Sequence, residues 1–292
     1  MQSNIYNYVI HAFNKKFYCK ISTCRKYNSN IISATLSFGV NNTYCVVIAI
    51  DDITKQFGYL AEVQYNKLCI TDGTLERKIG TYQFVSVCLY TVTYLFPNIK
   101  ILNLKDDSYF DCINNGKHYK TSLSHDYIIK YNQTYYEKNF NAKLPKDIYD
   151  IYRESLDILD SEIIPLDILK IKLKNIKNNK NNKNNKKKNI SYLEKYKDTY
   201  ANAKTPREFI NMLRNKYGEQ YCFEVRLWLI SYLELLGIDT YKDNWYIDPY
   251  NFKKPSDYTI YRTNNISRGG KNITIKKQNK KKYKHTIKHT KK

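Results

Sequence analysis

The stretch with the clearest chemical potential is Arg77-Lys78-Ile79-Gly80-Thr81-Tyr82, which lies between a β-rich segment and a strongly apolar run. A loop that opens a helix presents unpaired backbone N–H groups, and the helix dipole adds partial positive charge, so anions bind there. Glycine at position 80 lets the backbone approach a phosphate closely. Arg77 and Lys78 add two full charges beside it. The chemistry expected of this loop is the holding of a diphosphate. The same six residues also read as an ordinary basic strand-to-helix turn.

Other constellations are weaker. Ser124, His125 and Asp126 are contiguous, but a catalytic triad is assembled in space, and side chains of adjacent helical residues diverge. Cys112 with His118 lacks an orienting partner. Cys19 and Cys24 with His11 upstream fit no zinc spacing, and a fourth ligand is missing. No metal site is expected. The seven cysteines form an odd set without paired CxxC spacing. In a chain that opens without a secretory signal they read as reduced, mostly buried thiols.

The elements that must position the loop follow from periodicity. Ile31–Phe38 and Tyr44–Ile50 are β-branched or aromatic runs around Gly39-Val40-Asn41-Asn42, which predicts a hairpin. Tyr59–Ile70 alternates as a third strand. From Gly80 the period changes: Phe84, Cys88, Thr91, Val92 and Leu95 mark a nearly all-round apolar, buried helix that Pro97 stops. Lys100–Leu104 is a short strand, followed by a polar loop with Gly116. Ser122–Phe140 and Lys146–Leu159 are the next two helices. Ser191 to Glu194 and Thr205 to Glu208 are capping boxes, the second with proline at the first helical position. A long helix runs from about Glu219 to Leu236 and ends at Gly237.

The order strand, Arg-x-x-Gly loop, buried helix resembles the acetyl-CoA pyrophosphate loop of the GNAT superfamily of acyl-CoA N-acyltransferases. Tyr135-Tyr136-Glu137-Lys138-Asn139-Phe140 is similar to that superfamily's Tyr-Glu-Lys-x-Gly-Phe segment. The correspondence covers roughly residues 31 to 143. The resemblance implies an α/β (α+β) fold with a GNAT-like mixed central sheet flanked by helices, and acetyl-CoA as cofactor. It implies that Arg77, Lys78, Ile79, Gly80, Thr81 and Tyr82 hold the pyrophosphate. It implies further that Tyr136 (or Tyr135) protonates the departing thiolate and that Glu62 deprotonates the amine through water. Tyr82 stands where a small residue is normal, Asn139 replaces a glycine, and Glu76 adds a negative charge beside the loop. The family's closing hairpin is not evident before the helix at Lys146. The layout with its basic Arg-Gly-Gly-Lys tail is also similar to uncharacterised proteins of giant DNA viruses, which implies no chemistry.

Charge separates the chain into parts. The formal net charge is +22, yet Lys170–Lys188 holds nine lysines and Arg268–Lys292 eleven Lys/Arg, with no acid in either. What remains carries 29 basic against 27 acidic residues. The expected organisation is a GNAT-like domain over 1–160, a Lys/Asn-rich linker over 161–190, a helical module with an extended C-terminal segment over 191–267, and a disordered basic tail over 268–292. Lysine and asparagine runs also arise from AT-rich codons.

The tail, through Arg268, Lys271, Lys276, Lys277, Lys280, Lys281 and Lys282, reads as a nonspecific contact for nucleic acid or another polyanion. Tyr283 is its only aromatic residue, so base readout is not expected. Ile79–Ile99 is free of charge, but its polar residues and Pro97 favour a buried helix over a membrane span, and an intracellular, non-secreted protein is expected. Three function classes stand side by side: an N-acetyltransferase acting on an unidentified amine, a non-enzymatic viral or nuclear scaffold or binding protein that uses the tail, and an interaction protein whose helical module over 205–237 docks a partner.

Overall fold

The computed structural model describes residues 2–25, 32–40, 43–63, 80–114, 117–175, 191–241 and 245–263. Its centre is an eight-stranded sheet in the order β10-β1-β2-β3-β4-β5-β6-β9. β1 (Gln2–Ala12), β2 (Lys15–Arg25), β3 (Ile32–Val40), β4 (Thr43–Ile50) and β5 (Phe57–Val63) form an antiparallel meander. β6 (Ile101–Leu104) is the exception and pairs with β5 in parallel, Phe57–Leu60 against Ile101–Leu104. β9 (Trp245–Ile247) and β10 (Thr259–Thr263) close the two edges. The last described part of the chain thus completes a sheet whose other strands all precede residue 105.

Alternation gives the sheet two different faces. The register carries one row across seven strands, Tyr6–Ile21–Leu36–Ile48–Leu60–Leu104–Trp245. All but Tyr6 are buried, and Leu36, Ile48 and Trp245 have no exposed surface. The adjoining row on the other face is Ile5–Ser22–Thr35–Ala49–Tyr59–Asn103–Tyr246. None of its members is buried. One face therefore makes the core and the other meets solvent.

The buried face is covered by α1 (Thr81–Leu95), which connects β5 to β6 and buries Phe84, Val85, Val87, Cys88, Leu89 and Val92. Phe84 stacks on Phe17 at 5.4 Å, and Thr91 Oγ1 lies 3.0 Å from the Tyr258 hydroxyl. The predicted apolar helix is present, with 15 residues ending before Pro97, and no described helix is long and apolar enough to cross a membrane. Packing under α1 is close. A Cβ on Gly58 would come 2.8 Å from Ala49 O and 3.1 Å from Leu102 Cδ2. Gly58→Ala is expected to cost about 1–3 kcal/mol of stability through overpacking, read as a lower urea midpoint with an unchanged slope.

Several sequence expectations are corrected. The polar loop around Gly116 lies between two paired strands, β7 (Tyr109–Asn114) and β8 (Lys117–Ser122). Their pairing buries Cys112 and Thr121. The single helix over 122–140 is two, α2 (Leu123–Tyr131) and α3 (Tyr135–Phe140), because Asn132 adopts φ 57 and Thr134 caps a new start. Asparagine tolerates the left-handed region better than other side chains. α4 (Lys146–Asp157) follows as expected.

The lysine tract begins inside α5 (Leu166–Asn175), anchored by fully buried Leu169, and positions 176–190 lie outside the described residues. A helical turn at 191–195 precedes α6 (Lys197–Ala201). Thr205 caps α7 (Pro206–Tyr217), its hydroxyl accepting from Glu208 N. The Glu208 carboxylate takes Lys204 N, one residue earlier than a capping box requires. The long helix after 219 is a 3-10 turn (Gly218–Gln220), a π turn (Cys222–Arg226) and α8 (Leu227–Leu236), closed by Gly237 at φ 87.

The thiols are not all reduced. Cys112 and Cys222, 110 residues apart in sequence, are joined as a disulfide, and Cys45 is disulfide-bonded as well. Sequence spacing could not reveal the first pair, because β8, α2 and the helical segments fold back to bring position 222 onto β7. Cys19, Cys24 and Cys88 are free.

Candidate functional site

The expected loop separates β5 from the first helix, and β5 is also the strand that pairs in parallel with β6. β5 and β6 stop pairing at Leu60 and Leu104, while β5 continues to Val63 against β4. In that last stretch the register slips: Ile48 faces Leu60 but Val47 faces Glu62, so Ala61 is an extra residue in β5. Such bulges leave a residue out of the ladder and re-aim its neighbours. Carboxyl ends of parallel strands are where open α/β sheets form ligand crevices. α1 stands between β5 and β6 in the chain, and its first turns meet Phe17, Phe140 and Phe252.

The N-terminus of α1 is bare. Gly80 is the N-cap in an extended conformation (φ −69, ψ 153), no side chain caps the first turn, and no acidic residue lies in it. Among the described residues a Cβ at Gly80 would meet nothing within 4 Å, so they leave the space over it open. Tyr82 does not occupy that space with a buried ring. It is 50% exposed and leans on Phe140 (centroids 5.6 Å) and Phe252 (6.5 Å). Thr81 is half-buried. Arg77, Lys78 and Ile79 lie outside the described residues, as does the basic tail from residue 264 onward.

Tyr136 sits one aromatic contact further in. Its ring is buried and packs on Phe140 at 5.6 Å and Tyr135 at 5.4 Å. Burial pushes its phenol well above the usual range, and the charge of Asp106 pushes in the same direction. A phenol held in its protonated form is a donor, not a base. Tyr135 is half-buried and meets Tyr127 edge-on at 5.2 Å.

The rest of the Tyr-Glu-Lys segment has structural work. Thr134 Oγ1 accepts from Glu137 N at 3.2 Å, and Glu137 Oε2 accepts from Thr134 N at 3.1 Å, a complete capping box. The same Oε2 accepts from the Tyr152 hydroxyl at 3.1 Å. Lys138 Nζ stands 3.9 Å over the Tyr131 ring. Asn139, where the resembling motif has glycine, donates from Nδ2 to Tyr135 O at 2.9 Å.

Glu62 is exposed and shares the solvent face with Val47, its cross-strand partner. Tyr82, Phe140 and Tyr136 are thus brought together at one end of α1, whereas Glu62 belongs to the face that carries Tyr59 and Ala49. Ser124, His125 and Asp126 diverge as a helix requires. Ser124 Oγ lies 3.2 Å from Ser108 Oγ, while Asp126 binds Arg214 and Arg226. Among the described residues no three His, Cys, Asp or Glu side chains gather as a metal site.

Sequence reasoning missed Asp106. It follows β6 by two residues and is 1% exposed. Oδ1 accepts from Ser108 Oγ at 2.6 Å and from Ser108 N at 3.3 Å, and Oδ2 is buried with no hydrogen-bond partner among the described residues. The signal available was an acidic residue just past the carboxyl end of a strand that pairs in parallel. Burial is the main cause that lifts its carboxyl above the ordinary range, against the pull of hydrogen bonds from Ser108 and Ser124.

A carboxyl raised on folding contributes stability below its ordinary pKa, about 3.9. That contribution is lost as pH rises through the lifted value. Stability is therefore expected to fall from about pH 4 upward, and Asp106→Asn to remove part of that fall. Glu137, lifted chiefly by burial as well, leaves a residual slope in the same direction. Urea midpoints at about pH 4 and pH 7 check this: the variant's difference should be the smaller.

The chain matches no family model, no curated protein and no solved structure.

Proposed function

We propose that the first turn of α1 binds the diphosphate of acetyl-CoA, and that the protein is a GNAT-like N-acetyltransferase. One observation carries this reading: among the described residues the N-terminus of α1 has no side-chain cap and open space over Gly80, with a proton-bearing tyrosine two aromatic contacts from Tyr82. The amides of the first turn of α1 take the diphosphate oxygens. The acceptor nitrogen attacks the thioester carbonyl, the C–S bond breaks, and Tyr136 gives its proton to the thiolate. The proton lost by the nitrogen leaves to water, since Glu62 stands on the face of the sheet away from α1. The bulge and the β5–α1–β6 crossover support the GNAT-like assignment of the sheet.

Acetyl-CoA at ten times its dissociation constant should stabilise the protein by about 1.4 kcal/mol, which raises the melting temperature by roughly 3 °C. Gly80→Asp should abolish the shift without unfolding the chain. Aspartate is among the best N-cap residues, so its carboxylate would take the amides that the phosphate needs while holding α1 in place. Gly80→Ala, whose methyl meets nothing, should keep the shift. No shift in the unsubstituted protein at millimolar acetyl-CoA would overturn the reading.

A further inference from the structure

We propose that the open face of the central sheet is a binding surface for single-stranded nucleic acid. This inference is independent of the acyl-transfer reading and uses the opposite side of the sheet from α1. Five of the large apolar side chains exposed on this protein, Ile5, Phe57, Tyr59, Ile101 and Tyr261, stand on this one face.

β2 supplies the polar complement. Phe17 and Cys19 point into the core, so Lys16, Tyr18 and Lys20 alternate outward, with Lys16 Nζ 5.1 Å from the Tyr18 ring centroid. Register puts Tyr261 on the same row as Tyr18, with Val9 between them.

The middle of the face is low. Between Tyr18 on β2 and Tyr59 on β5 lie Thr35, Ser37 and Gly39 of β3 and Val47 and Ala49 of β4, with exposed Tyr44 opposite Gly39 at one end. Three strand spacings make that trough roughly 14 Å wide. A single strand fits between its aromatic rims, and the rims offer π-faces on which bases stack without sequence preference. A duplex is too wide to lie in it.

Charge favours a polyanion. Among the described residues of these rows, Lys16 and Lys20 face one carboxylate, Glu62. A second copy of the same face would bring like lysines together. The edge strand that carries Tyr261 also leads into the segment whose last 25 residues hold eleven Lys/Arg and no acid.

The test uses full-length protein and a fluorescein-labelled 12-nucleotide oligo(dT), followed by anisotropy at low and moderate salt. Lys16→Glu with Lys20→Glu should weaken binding by about tenfold or more. Reversing Lys146 and Lys172, exposed on α4 and α5, changes net charge equally and should cost no more than about twofold. Tyr18→Ala with Tyr59→Ala should weaken binding by about fivefold or more through lost stacking.

Ultraviolet crosslinking of the unsubstituted protein keeps the test independent of how the variants fold. Adducts on Tyr18, Phe57 or Tyr59 support the proposal, and adducts confined to residues 264–292 overturn it. Equal losses from both lysine pairs, or a duplex of the same length bound as tightly, would also sink it. So would a concentration-dependent dimer abolished by Tyr59→Lys, since the face would then serve a second copy.

Discussion

Asp126→Asn is expected to lower the unfolding free energy by about 3 kcal/mol, toward the lower end of the range for breaking a buried ion pair. Asp126 is in the first turn of α2. Its Oδ1 accepts from Arg214 Nη2 at 2.9 Å, and Arg226 Nη2 lies 2.8 Å from Oδ2. The carboxylate is 13% exposed and the two arginine side chains 28% and 18%, so water screens the group only in part. Both guanidiniums also lie over the same Tyr221 ring, at 5.2 and 5.5 Å from its centroid.

Neutralising the carboxylate leaves two cations over one aromatic ring, with mutual repulsion and no negative charge to offset it. It also loosens the joint that holds α2, α7 and the π turn beside Cys222. Urea unfolding measures the loss. Asp150→Asn, exposed on α4, should change stability by no more than about 0.5 kcal/mol. Equal midpoints for Asp126→Asn and the unsubstituted protein would show that the pair contributes nothing.

Trp245→Ala should cost about 3–5 kcal/mol, the range for truncating a large buried aromatic residue. Trp245 has no exposed surface and ends the buried seven-strand row. Its ring stands perpendicular to Tyr152 at 5.6 Å, and its Nε1 donates to Thr240 O at 3.0 Å. Truncation opens a cavity, strands a buried carbonyl and weakens the edge that β9 provides. The damage should travel. Tyr152 donates to Glu137, whose capping box starts the helix bearing Tyr136.

A double-mutant cycle of Trp245→Phe with Tyr152→Phe should show coupling of about 0.5–1.5 kcal/mol, since the aromatic pair shares one geometry. If Trp245→Ala loses less than 1 kcal/mol, on the order of a single buried methylene, the edge does not hold the sheet.

These two residues also show where reading the chain stops. Asp126 was visible only as one of three adjacent polar residues, and its partners lie 88 and 100 positions away. Trp245 sat in a stretch that looked extended and aromatic, with no sign that it would pair with β6. Asp106 carried no mark of burial, because burial depends on which helices later cover the end of β6. The Cys112–Cys222 joint was hidden for the same reason.

Elements governed by near neighbours were legible. The β3–β4 hairpin, the apolar helix after Gly80, the Thr205 cap and the Gly237 stop all follow from periodicity, capping chemistry and backbone freedom within a few residues. Closure of the sheet by β9 and β10, its bare second face, and the meeting of Tyr82, Phe140 and Tyr136 arose only when distant segments packed. The physical reason is range. Propensity and capping act through a few bonds or one helical turn, whereas burial and charge pairing depend on every segment that arrives in the same volume.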